Sequence, residues 1–224
     1  MVKIVLVASS ASELNGHKTG FWVEEVAAPF YLFKDHGFEV IFASPNGGPC
    51  PVDAGSISGD FFTAPAKKFM HDPEGIGALC HSTKLSEVDW SGVDAIFLAG
   101  GHGTCVDFVD QPSLTKGVET LYAADKVVSA VCHGPTGLVD AKKPDGSPLV
   151  AGKKVAGFAD SEEEAVQLTK TVPFLLESKL KELGGLYEKT DDWHVKACVD
   201  GKLVTGQNPQ SSEAVAKEVI KLLS

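Results

Sequence analysis

A short apolar run ends on a cysteine and breaks at once into His-Gly-Pro: Val127-Val128-Ser129-Ala130-Val131-Cys132-His133-Gly134-Pro135. A run of this length reads as a fully buried strand, and Gly-Pro stops it while leaving room for a helix to begin. Cys132 therefore falls at a strand-to-helix turn, outside the carboxyl end of a sheet, where open α/β folds place their sites and where a helix N-terminus favours a thiolate. Free cysteine usually packs as a small hydrophobe. Three features point the other way here: His133 follows directly, Gly134 allows a tight turn, and a second glycine cluster, Gly100-Gly101-His102-Gly103, closes another apolar run at 94–99. One strand end carries a thiol and the other carries unobstructed backbone N–H groups, the parts of a nucleophile and an oxyanion hole. The expectation is a Cys132 of depressed pKa that alkylates ahead of the other cysteines.

The remaining candidates carry less. Cys80-His81 repeats the dipeptide without a strand-to-helix turn. His17, His71, His81 and His102 fit no ligand spacing, so no metal is expected, and His102 reads as part of its glycine loop. Gly-Gly-His-Gly lacks the G-x-G-x-x-G spacing of a dinucleotide site. Phe21, Trp22, Phe30 and Phe33 read as core or subunit contact.

The elements that must position these residues alternate. Strands are expected at 3–8, 39–43, 94–99, 127–131 and 154–157, and helices at 19–36 and 113–124, just after Pro135, in segments across 161–183, and at 211–223. Residues 194–205 read as a hairpin turning at Asp200-Gly201 through a type I′ turn. Strands alternating with helices imply an α/β, flavodoxin-like sandwich: a mostly parallel sheet covered on both faces, with a late antiparallel hairpin. From about 45 to 90 the pattern is irregular and rich in Gly, Pro and Asp, and is read as an insertion with short helices covering the site. The whole of 1–224 is read as a single domain.

Thirty acidic against twenty basic residues give a formal charge of −10, with no Lys/Arg stripe to track phosphates, so nucleic acid is excluded as a partner. No window approaches the length of a membrane span, and the first residues lack a signal peptide's pattern. Five widely spaced cysteines without a CxxC suggest neither a disulfide framework nor a zinc knuckle. A soluble protein of the reducing cytoplasm fits these observations.

Four blocks together resemble the ThiJ/PfpI superfamily with its class I glutamine amidotransferase-like fold: 18–25 (Lys-Thr-Gly-Phe-Trp-Val-Glu-Glu), 99–103 (Ala-Gly-Gly-His-Gly), 129–135 (Ser-Ala-Val-Cys-His-Gly-Pro) and 203–211 (Leu-Val-Thr-Gly-Gln-Asn-Pro-Gln-Ser). Within it they are similar to the branch of glutathione-independent glyoxalases (glyoxalase III type) and related heat-inducible chaperones. The resemblance implies Cys132 as nucleophile, His133 as catalytic histidine and Glu25 as the carboxylate of the first helix, Glu24 pointing about 100° away. It implies the N–H groups of Gly101 and His133 as oxyanion donors, with Gly100 shaping the turn. A downstream acid falls at Glu163, with Asp160 and Glu162 left open beside it. It further implies a cofactor-independent lyase, a small α-oxoaldehyde substrate such as methylglyoxal converted to a 2-hydroxy acid (D-lactate), a role in the stress response and a homodimer. The covering segment is shorter than in the fuller chaperone-type pattern, which argues against large clients. A hydrolase of the same fold (amidase, peptidase or protein deglycase) and a protective chaperone or redox sensor are the alternatives.

Overall fold

The computed structural model describes residues 1–224. In chain order it comprises β1 (Lys3–Val7), a small hairpin β2 (Glu13–Leu14) and β3 (His17–Lys18), α1 (Val23–Asp35), β4 (Glu39–Ser44), α2 (Ala64–Phe69), α3 (Pro73–Cys80), β5 (Thr83–Lys84), β6 (Ala95–Leu98), α4 (Thr104–Asp107), α5 (Pro112–Ala123), β7 (Val127–Val131), β8 (Lys154–Val155), α6 (Asp160–Ala165), α7 (Leu176–Glu182), β9 (Leu186–Tyr187), β10 (Ala197–Asp200), β11 (Leu203–Gly206) and α8 (Ser212–Leu223). Seven strands form the main sheet in the order β10-β11-β7-β6-β1-β4-β5. All neighbours run parallel except β10 against β11. The chain builds from β1 toward β4 and then returns to the other side with β6, so the switch of direction falls between β1 and β6. Crevices at such a point, beyond the strands' carboxyl ends, are where open α/β sheets hold ligands.

The central strands Ile4–Val7, Ala95–Leu98 and Val127–Val131 are buried throughout, as strands covered on both faces must be. Helices α1 and α8 pack on each other over one face, and α5 lies against β6 and β7 on the other. One cluster of 47 buried apolar side chains runs through these layers, and Cys132 belongs to its edge.

Four sequence readings change. The first helix starts at Val23, not Thr19, because residues 19–22 are held extended: Phe21 N–H donates to Pro51 O (2.9 Å) and Trp22 N–H to Gly100 O (3.1 Å). Gly20 is required there, since a Cβ would lie 2.2 Å from Pro51 O. The strand expected at 154–157 shortens to Lys154–Val155 and leaves the main sheet to pair with β9. The late hairpin turns at Gly201-Lys202, with Asp200 opposite Leu203, and only Gly201 has positive φ (62°), the pattern of a II′ rather than a I′ turn. After Pro135 the chain makes a single 3₁₀ turn, Gly134–Leu138, and no full helix.

Between 45 and 90 the chain forms short 3₁₀ and α turns, as the Gly/Pro-rich pattern suggested. Phe61 from this segment stands edge-on to Trp22, with ring centroids 5.1 Å apart, and lines the cavity above Cys132. No helix is long and apolar enough to cross a membrane.

Candidate active site

Cys132 takes φ of +59°, a left-handed conformation unusual for a side chain with a Cβ. The strain turns the chain sharply at the end of β7 and lifts the thiol out of the sheet. The surrounding backbone over-determines that turn: Cys132 N–H donates to Gly206 O (3.0 Å), and its carbonyl accepts from Phe158 N–H (2.8 Å). The hydroxyl of Thr104 lies 3.0 Å from Gly101 O and 3.1 Å from His133 O, coupling the glycine loop after β6 to the cysteine turn after β7.

Glu25 reaches the thiol from the first turn of α1. The extended entry at 19–22 sets the phase of that helix, so Glu25 is fully buried while Glu24 turns to the α2 cap and accepts from the Thr63 hydroxyl. Oε2 of Glu25 accepts from Gly100 N–H at 2.6 Å. Its Oε1 is buried with no partner of ordinary hydrogen-bond geometry, and the neighbouring thiol of Cys132 interacts with the same carboxyl. Burial pushes Glu25 up to about 8, opposed by the Cys132 and Gly100 contacts.

Burial and the Glu25 carboxyl likewise push the Cys132 thiol well above its ordinary range, with the Gly101 N–H working against them. This corrects the expected depression of Cys132. A 3₁₀ turn supplies little macrodipole, and sulfur and carboxyl stand too close for both to be charged. The two groups titrate as a pair, losing one proton to give a shared monoanion before the second can leave.

On the other side, His133 Nδ1 lies 3.5 Å from Cys132 Sγ, and Nε2 lies 2.7 Å from Glu163 Oε2. The other oxygen of Glu163 lies 2.8 Å from Nε2 of His102. Although burial opposes it, hydrogen bonds from the two imidazoles hold Glu163 down to about 2, so it is a carboxylate at every working pH. Both Nε2 atoms must then be donors, which leaves the Nδ1 lone pair of His133 facing the thiol. Burial, then the neighbouring His102, lower His133 to about 4 against the pull of Glu163. His133 is therefore neutral at neutral pH and able to accept a proton.

All six residues expected at the site, Cys132, His133, Glu25, Glu163, Gly100 and Gly101, meet within it. The neighbours left open for the acid lie elsewhere. Glu162 accepts from Ala159 N–H, Trp193 N–H and Asn208 Nδ2, a buried knot that anchors the start of α6 and aims Glu163 inward. Asp160 accepts from Ser178. The two glycines differ in use. Gly100 N–H is engaged by Glu25, and a Cβ there would lie 2.6 Å from His133 N. Gly101 N–H faces the Cys132 sulfur. His133 N–H has no acceptor within the protein.

Sequence reasoning missed His102, because Gly-Gly-His-Gly explains itself as a loop and nothing local shows a histidine there meeting a carboxylate 61 residues on. It also missed the apolar wall. A partly open cavity of about 80 Å³ above the thiol is lined by His102 and His133 together with Trp22, Phe61, Phe158, Val166, Trp193 and Pro209. It admits molecules of only a few heavy atoms. The donor atoms of His102, His133 and Glu163 lie within 4.8 Å of one another. Since both Nε2 atoms donate to the carboxylate, the trio is a hydrogen-bonded network.

A buried thiol on a strained strand-to-helix turn, flanked by an acid and by a carboxylate-oriented histidine, defines a cysteine site on a flavodoxin-like α/β scaffold. The chain belongs to the DJ-1/PfpI family, whose model matches residues 18–222. It is 34% identical to Glyoxalase 3 of Candida albicans over 98% of each chain, and 32% identical to the glutathione-independent glyoxalase HSP31 of Saccharomyces cerevisiae over 99% of this chain and 98% of that protein. Among solved structures it is similar to Candida albicans glyoxalase III (TM-score 0.90, 32% identity, 99% and 97% of the chains) and to Rapid Encystment Protein 24 kDa of Francisella tularensis (TM-score 0.95, 34% identity, all of both chains).

Burial of Glu25 has a consequence for stability. Its folded pKa is raised from 4.5 to about 8, so the stability that goes with the buried acid is fully present below 4.5 and is lost as the pH rises through 8. Glu25→Gln keeps the acceptor for Gly100 N–H and cannot ionise. Its melting temperature should exceed that of the wild type by a margin that grows from pH 5 to pH 8, reaching on the order of 10 °C. Thermal denaturation of both proteins at the two pH values checks this; an equal margin at both would remove Glu25 as the titrating group.

Proposed function

We propose that the protein is a glutathione-independent glyoxalase, a cofactor-independent lyase that converts methylglyoxal and similar small α-oxoaldehydes to 2-hydroxy acids. The observation that carries this reading is a thiol held between a carboxyl that is protonated up to about 8 and a neutral imidazole, beneath a cavity of about 80 Å³. The names of its relatives in two yeasts support it, as does their match along almost the whole chain.

In this reading Cys132 gives its proton to Nδ1 of His133 and its sulfur attacks the aldehyde carbon, C1. The oxygen negative charge that develops is met by the N–H of His133 and by Gly101 N–H, released from the sulfur as it bonds. The protonated Glu25 carboxyl gives its proton to that oxygen, leaving a hemithioacetal, a Glu25 carboxylate and a protonated His133. Glu25 then takes the C1 hydrogen as a proton while His133 protonates the C2 oxygen, and the electron pair forms an enediol; this collapses as Glu25 returns its proton to C2 and the C1 hydroxyl gives its proton to His133, which passes it to Glu25 so that both groups are restored. C1 is thereby oxidised to a thioester and C2 reduced to an alcohol. Water activated by His133 adds to the thioester, and the carbon–sulfur bond breaks to return the Cys132 thiol and the 2-hydroxy acid. Every electron that leaves C1 arrives at C2, so the reaction calls for no external oxidant or organic cofactor.

We read residues 1–224 as one domain in which 45–90 covers the site, supported by the continuous core and by Phe61 over the cavity. The cytoplasmic setting and the homodimer implied by resemblance belong to the same reading.

The test is methylglyoxal consumption without glutathione, followed by proton NMR for lactate. Stoichiometric lactate is the expected result. Consumption without lactate, or none, would overturn the lyase reading and turn attention to amide or glycated-protein carbonyls.

A further inference from the structure

Glu163 carries two imidazoles. Only one of them, His133, touches the thiol; the other, His102, stands on the glycine loop, 7% exposed, with Nε2 at 2.8 Å from Glu163 Oε1. The rings of His102 and His133 pack against each other, centroids 4.1 Å apart and tilted by 44°, and Phe158 packs beside both, 4.4 Å from His133 and 6.0 Å from His102. His133 is thus packed by two neighbouring rings while its Nε2 is held by a carboxylate whose other oxygen is itself held.

We propose that His102 is a positioning residue for the reaction assigned to this site: it pins the second oxygen of Glu163 and packs on His133, and so fixes the direction in which the Nδ1 lone pair of His133 faces Cys132. The proposal rests on the glyoxalase reading for its substrate, but its geometry serves any carbonyl that the thiol attacks. A carboxylate held at one oxygen can swing about its Cβ–Cγ and Cγ–Cδ bonds; held at both, it cannot. His133 takes its ring plane from that carboxylate, as a triad histidine does.

A second consequence is electrostatic. Two imidazoles on one carboxylate cannot both be imidazolium without repelling each other across 4.1 Å. His102 therefore opposes protonation of His133 and keeps it a base under acid conditions, in the direction seen for His133. The ionisable groups around the pair are Glu163 between them, Cys132 and behind it Glu25 on the thiol side, Asp53 from the covering segment, and His17 from the β2–β3 hairpin, whose ring lies 6.3 Å from that of His102. Of these only His102 is a base in contact with the face of His133. Removing it should raise His133, because repulsion is lost and Glu163 turns wholly to the remaining imidazole.

The experiment uses full-length His102→Leu and His102→Gln. Leucine removes both donor and base; glutamine keeps an N–H for Glu163 and removes only the base. For His102→Leu, kcat toward methylglyoxal should fall about 10²-fold with KM little changed, the scale of a misplaced catalytic group. His102→Gln should recover most of that loss. In both variants the acid limb of kcat, and the titration midpoint of His133 followed by ¹⁵N-histidine NMR, should move up by about one pH unit. Unchanged kcat in His102→Leu together with an unchanged His133 midpoint overturns the proposal. Should His102→Leu fail to fold, an unmoved midpoint in His102→Gln overturns it alone. If the wild type turns over no methylglyoxal, the glyoxalase reading fails by itself; the NMR midpoints and the rate of Cys132 alkylation by iodoacetamide still judge His102.

Discussion

Cys132→Ser should abolish methylglyoxal turnover, lowering kcat by at least about 10⁴-fold, the scale on which loss of a nucleophile is felt when its partners act as a unit. The substitution is nearly isosteric, and the strained turn at φ of +59° is held by backbone hydrogen bonds to Gly206 and Phe158 that serine preserves. Folding is therefore unaffected, and the loss reports chemistry alone. A serine hydroxyl between Glu25 and His133 is much harder to ionise than a thiol. The alkoxide would have to form in a pocket where even the thiol is pushed up by burial. Steady-state consumption of methylglyoxal, with circular dichroism to verify the fold, makes the measurement. Residual turnover within tenfold of wild type would mean that the hydrogen transfer runs without covalent attachment, and the hemithioacetal route would be abandoned.

Glu163→Gln should cost about 10³- to 10⁴-fold in kcat, the range known where a triad carboxylate becomes an amide. Two imidazole Nε2–H groups donate to the two oxygens of Glu163, at 2.7 and 2.8 Å. An amide offers one acceptor and one donor. Whichever way it is placed, one histidine meets an N–H and must move its own proton to Nδ1. If that histidine is His133, the lone pair facing Cys132 disappears. If it is His102, the glycine loop takes the mismatch. The carboxylate charge that supports a protonated His133 during turnover is lost in either case. Comparison of kcat for Glu163→Gln and Glu163→Ala separates the contributions: alanine leaves both imidazoles free to choose a tautomer, so activity equal to or above that of glutamine supports the tautomer argument. Glutamine with near-wild-type kcat would remove Glu163 from the mechanism.

Much of the site was legible in the sequence, for identifiable reasons. A cysteine followed by His-Gly-Pro at the end of a buried run places a thiol on a turn whatever the remainder of the chain does, because strand burial and glycine freedom are local. The 100° step between Glu24 and Glu25 is likewise local, and the structure separates them as it requires, one toward Thr63 and the other toward Gly100. Glu163 was less secure, since Asp160 and Glu162 are equally acidic and equally near in sequence. What separates them is where α6 begins, and that is set by Glu162 bonding to Trp193 and Asn208, residues more than thirty positions away.

The sequence by itself determined the α/β class, the order of the strands along the chain and the place of the candidate nucleophile at a strand end, because hydrophobic period, glycine placement and residue chemistry are properties of neighbours. The tertiary structure alone decided that Cys132 and Glu25 share one buried environment and titrate together, that the turn after Pro135 is too short to depress a thiol, and that His102 joins His133 on one carboxylate. The shared environment and the joined imidazoles depend on groups brought together across 30 to 107 residues, where desolvation and charge act through space and leave no mark on local spacing.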